Sequence, residues 1–137
     1  MNVRLVLTLS LQGLLIGIGS ITGIIRSGVE SIVWIAVFVI SAIAIIRRAP
    51  DRPFRHGFVA VFLAAVLSQL VQVVFFDRYL SYNPQSAASL KALPAGIPPR
   101  VFVLLLTPLV AAFFGVLAGG LAWAGARVFA RKPSPAA

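Results

Sequence analysis

Four apolar runs dominate this chain, about Leu5 to Ile25, Val29 to Ile46, Gly57 to Phe76 and Val101 to Ala126. Each is near the ~20 residues that a helix needs to cross a ~30 Å hydrocarbon layer. No other feature restricts the fold as strongly. A chain of 137 residues has too little additional polypeptide to bury four such segments away from water. Only 11% of its residues are charged, against roughly 25% in a soluble domain. Within hydrocarbon a backbone must satisfy its own hydrogen bonds, which the helix does locally. The expected fold is therefore all-α: a polytopic membrane protein whose four helices form an antiparallel bundle. Residues 1–130 form one domain.

The connections support that reading. The first run follows Arg4 and exceeds the ~7–15 apolar residues of a secretory signal, with no small-x-small cleavage site after it. It reads as a retained helix. The short turn Arg26-Ser27-Gly28-Val29-Glu30 returns the second run beside the first, with Trp34 near its start as an interfacial aromatic. Pro50 and Pro53 forbid a continuous helix between the second and third runs. The longest connection, Asp77 to Arg100, holds Tyr79 and Tyr82 for an aromatic belt, an Asn83-Pro84 turn, and a short surface helix over Ser86 to Leu93. Pro108 is expected to kink the long fourth helix. The stretch from Arg131 to Ala137 reads as a disordered cytoplasmic tail.

Basic residues give the orientation. Eight Lys and Arg flank the side with the termini and the second loop, namely Arg4, Arg47, Arg48, Arg52, Arg55, Arg127, Arg131 and Lys132. Four flank the other: Arg26, Arg78, Lys91 and Arg100. The positive-inside rule then puts both termini in the cytoplasm of a bacterial inner membrane. With most of the formal +9 charge at span edges, the expected partners are anionic lipid headgroups and not nucleic acid. Arg47, Arg48, Arg52 and Arg55 are the lipid-facing cluster, read first as a topology anchor and second as a specific lipid or acidic-partner site. His56 beside them reads as a bystander more readily than as a pH sensor.

Small residues recur four apart at Gly13/Gly17 and Gly19/Gly23 in the first run, and at Gly115/Gly119 in the fourth. Such ridges let helices approach closely, within one bundle or across a dimer or partner interface. Ser68, Gln69 and Gln72 share one face of the third helix. At about 1.5 Å per residue, Gln72, Ser20 and Thr107 fall in the outer half and Gln12 in the inner half, so Gln72 is expected to meet Ser20 or Thr107. These neutral groups read as interhelical glue, or alternatively as the lining of an outward cavity. At the outer edge, Arg26, Glu30, Asp77, Arg78 and Arg100 are expected to form an ion-pair cluster.

The chemistry is sparse. There is no cysteine, one His and three acids, and none of the ionisable side chains lies in the middle of a span. Thiol chemistry is excluded. Metal catalysis, carboxylate-pair catalysis, b-type haem and intramembrane proton coupling have almost no candidate groups, so neither an enzyme nor a cofactor is expected.

Two segments, Phe54-Arg55-His56-Gly57-Phe58 after the basic loop and Phe76-Asp77-Arg78-Tyr79-Leu80-Ser81-Tyr82-Asn83-Pro84 at the end of the third run, precede a Gly/Ala-rich final helix opening at Thr107-Pro108. In this layout the chain resembles a bacterial domain-of-unknown-function family of small four-helix integral membrane proteins. That family has no established activity, so the resemblance implies an architecture and no site. Two functional expectations stand. The first is a non-enzymatic accessory protein packing with itself or with a larger membrane complex through its glycine faces. The second is a small oligomeric carrier or lipid-handling protein with an outward polar cavity near Gln69 and Gln72.

Overall fold

A computed structural model describes residues 1–130, and these are helical with no strand among them. The expected tail, 131–137, lies outside the described residues. The helices are α1 (Val3–Ser10), α2 (Gln12–Thr22), α3 (Val29–Arg48), α4 (Pro53–Val74), α5 (Phe76–Tyr82), α6 (Pro84–Lys91) and α7 (Pro99–Ala130). Four stretches are long and apolar enough to cross a membrane: α1 with α2, α3, α4 and α7.

The boundaries differ from expectation for identifiable reasons. The first span begins at Val3 because the Asn2 side chain caps it, Oδ1 accepting the Leu5 N–H at 3.1 Å. It ends at Thr22, not Ile25, because Gly23 adopts a left-handed conformation (φ 77°) and turns the chain. Ile25 then folds back onto Gly19, its N–H donating to the Gly19 carbonyl at 3.0 Å. Gln12 and Ser10 donate side-chain hydrogen bonds to the Leu9 and Leu7 carbonyls at the α1–α2 irregularity, competing with the backbone ladder there. The third span begins at Pro53 rather than Gly57, since proline suits the first helical position, where its missing N–H is no loss. It ends at Val74, and Phe75 breaks it from α5. Likewise Pro84 starts α6 two residues before the expected surface helix. The α7 helix continues through Pro108.

At the centre is α4, packed against α1, α2, α3 and α7. Its buried positions include Gly57, Ala60, Ala64 and Ser68, a small-residue ridge with mostly four-residue spacing. Gly13 sits on the Ala64 backbone, and Gly17 lies against Val71. On the other side of α4, a Cβ at Gly57 would lie 2.9 Å from the Ala118 carbonyl oxygen. Gly115 and Gly119 receive Phe58 and Phe54, which stack with Phe62 in a ladder along α4. Large apolar side chains such as Leu15, Ile24, Ile32, Leu105 and Leu109 are exposed on the outside of the bundle.

Contacts define two ends of the bundle. At one, His56 of α4 meets the N-terminus: the Asn2 N–H donates to Nε2 at 2.9 Å, and Nδ1 lies 3.1 Å from the Arg52 carbonyl oxygen. Both bonds form together when Nδ1 is the donor and Nε2 the acceptor. His56 is buried, so it is a structural tether and not a bystander. At the other end, α5 packs against α2 and the end of α4, and α6 packs against α5.

Candidate functional site: a cavity beneath α6

Glu30 stands in the first turn of α3, where a carboxylate complements the helix dipole. The returning α4 brings Gln72 opposite it, and Gln72 Nε2 donates to Glu30 Oε1 at 3.1 Å. Gln72 is 4% exposed. This corrects the expected pairing with Ser20 or Thr107. The reason is register: α3 starts after a very short turn, so its first carboxylate reaches the level of Gln72 and is a stronger acceptor than a hydroxyl.

Around this pair opens a cavity of about 500 Å³, within the range of small-molecule sites. Ser68, Gln69 and Gln72 line it from α4, as the alternative reading of that face required. Its opposite wall is Glu30, Trp34 and Phe38, one per helical turn of α3. Trp34 is 7% exposed and packs inside the bundle. It meets Phe114 of α7 edge-on at 4.9 Å between ring centroids, and Phe38 meets Phe114 at 5.4 Å. The cavity therefore has an aromatic side and a polar side. Gln85, Ser86 and Ser89 of α6 complete it from above.

Asn83 holds that roof in place. Fully buried, it donates through Nδ2 to the Tyr79 carbonyl at 2.9 Å and the Ser20 carbonyl at 3.3 Å. Its Oδ1 accepts from the Ser27 hydroxyl at 3.3 Å. One side chain thus ties the α5–α6 elbow to the end of α2 and to the turn before α3. Sequence reasoning read Asn83 as a turn residue and missed this role. The Tyr79 hydroxyl meets Ser86 Oγ at 3.1 Å. Burial pushes the Tyr79 phenol above its ordinary 10.0; the Ser86 bond opposes this, and the nearby Glu30 charge adds to it.

The remaining expected residues lie elsewhere. Gln12 bonds the Leu9 carbonyl and reaches Ser41 Oγ at 3.5 Å, outside the cavity. Thr107 is buried and bonds the Val103 carbonyl of its own helix. Ser20 is fully buried, with a hydroxyl that has no partner among the described residues. The outer ion-pair cluster is not formed: Arg100 and Asp77 pair at 3.4 Å, the one salt bridge among the described residues. With exposures of 51% and 94%, that pair contributes little. Arg26 and Arg78 instead donate to the Gly23 and Ile21 carbonyls around the end of α2. Arg47, Arg48, Arg52 and Arg55 are exposed at the opposite end of the bundle. No three His, Cys, Asp or Glu side chains converge among the described residues, so no metal set is present there.

Fold and site together define an all-helical chain with four potential membrane spans and a polar-aromatic cavity at one end. No family model matches it, and neither a curated protein nor a solved structure is significantly similar.

Proposed function

We propose that this chain is a non-enzymatic, multi-pass protein of the bacterial inner membrane that holds a small amphipathic molecule in the cavity beneath α6. Both termini are cytoplasmic in this reading, supported by the eight-to-four distribution of Lys and Arg, and the cavity then faces outward. The observation that carries the proposal is the joining of hydrogen-bonding groups, Glu30, Ser68, Gln69 and Gln72, to the rings of Trp34, Phe38 and Phe114 in one pocket. Such two-sided chemistry suits a molecule with a polar head and an apolar body.

The accessory-protein reading has less support. It relied on glycine faces free for a partner, whereas Gly13, Gly17, Gly115 and Gly119 are occupied by α4 and its side chains. A Trp123→Phe variant in maltoside micelles leaves Trp34 as the fluorescent reporter. Amphipaths carrying brominated chains should quench it saturably, and Gln69→Phe, which intrudes on the cavity, should weaken that quenching. Quenching that grows linearly with amphipath and is indifferent to Gln69→Phe reflects partition into the micelle and would sink the proposal.

A further inference from the structure

The lining of the cavity contains one ionisable group, Glu30, in a chain with a formal charge of +9. No Lys, Arg or His lines it. Among the described residues, no cation lies within salt-bridge distance of the Glu30 carboxylate. The arginines at this end of the bundle are engaged elsewhere: Arg26 and Arg78 on backbone carbonyls, Arg100 on Asp77. Glu30 Oε1 accepts from Gln72, and Oε2 has no hydrogen-bond partner among the described residues. Because Gln72 directs its amide nitrogen at Glu30, its carbonyl oxygen is left as an acceptor. One and two turns along the same face of α3 follow Trp34 and Phe38, with Phe114 against both. A carboxylate with a spare oxygen, beside an amide acceptor and aromatic rings, is the chemistry that receives an organic cation.

We infer that the cavity selects an amphipath whose head is a positively charged amine. The inference rests on the amphipath reading above and names its ligand class. The ammonium sits at Glu30 Oε2 and the Gln72 carbonyl oxygen, and the apolar body lies toward Trp34, Phe38 and Phe114. An anionic head would meet Glu30 with no compensating cation in the lining, despite the positive charge of the chain as a whole. A neutral head would leave the carboxylate unmatched.

The test uses the full chain carrying Trp123→Phe in maltoside micelles, titrated with dodecylammonium, dodecanol and dodecyl sulfate while Trp34 fluorescence is followed. Dodecylammonium is expected to bind about tenfold more tightly than dodecanol, the size of a partly desolvated charge contact, with dodecyl sulfate weakest. Glu30→Gln keeps an acceptor for Gln72 and should abolish the preference for dodecylammonium over dodecanol. Glu30→Asp should retain part of it. Equal binding of cation and alcohol, or a cation preference that survives Glu30→Gln, overturns the inference and leaves the amphipath reading standing. Absence of saturable binding by all three overturns both. Benzyltrimethylammonium and phosphatidylethanolamine, added as competitors, separate the sources: displacement by the first alone assigns a free organic cation, and by the second alone a lipid headgroup. Failure of both to displace dodecylammonium counts against a cation site.

Discussion

Gln72 illustrates how one side chain acquires a meaning from its neighbour. Paired with Glu30, it is the donor half of a charge-assisted bond in a partly dry site. Gln72→Leu should lower stability by about 1–2 kcal/mol, read by thermal unfolding in detergent, because it removes the donor and leaves the carboxylate poorly solvated. Gln72→Glu should be worse, since it sets two carboxylates face to face. Asn83→Ala removes three hydrogen bonds at a fully buried position. A loss of about 2–3 kcal/mol is expected, with faster proteolysis of the α5–α6 segment as an independent readout. At Tyr79 the sign is set by burial. Its phenol holds its proton more tightly when folded, so this contribution is complete below pH 10.0 and is lost as pH rises through the elevated folded value. Alkaline absorbance titration, with Tyr79→Phe subtracted, should place its ionisation later than an ordinary tyrosine; ionisation at or below 10.0 would contradict its burial. The polar face of α4 was legible from the spacing of Ser68, Gln69 and Gln72 alone. Its partner was not, because the level at which Glu30 meets Gln72 depends on the tertiary register of two helices.

Among the helices, close approach is unevenly distributed over the glycines. Gly57 faces the backbone of α7, whereas a Cβ at Gly120 would meet nothing within 4 Å. Gly57→Leu should therefore force α4 and α7 apart at a cost of about 2–3 kcal/mol. Gly120→Ala should be neutral or stabilising by up to about 1 kcal/mol, through the better helix propensity of alanine. Equal effects in a pair of unfolding curves would refute this account of the interface. The four long apolar helices were legible because apolar length is a property of each segment. Their ends were harder. Pro53 stops one helix as a residue type and starts another as a position, and only the left-handed backbone of Arg52 immediately before it (φ 58°) makes the second role visible. The ridge Gly57, Ala60, Ala64 and Ser68 had a readable signal in its spacing, but glycine counts drew attention to the first and last spans instead.

At the scale of the molecule, apolar pattern and charge placement together give a frame of four long apolar helices with a strongly basic end and a weakly basic roofed end. A reporter fused after Ala137 should be active only on the cytoplasmic side, and activity confined to the outer side would reverse the orientation of the cavity. The frame was readable from sequence because hydrophobic length dictates it. The cavity was legible only as one of two readings of the Gln69 and Gln72 face, since its shape is the space left where rigid helices diverge. One last consequence belongs to α6. None of its residues is buried, and its anchorage lies near its first turn, at Asn83 and the Tyr79–Ser86 bond. The far end runs into the Gly96-containing connection to α7. Mechanically this is a cantilever: a lever clamped at one end over a hollow. Lifting its free end uncovers no hydrophobic core, so the energetic cost is on the order of one hydrogen bond, about 1 kcal/mol. Thermal motion alone supplies that often, so opening the cavity at α6 asks for no rearrangement of the four long helices.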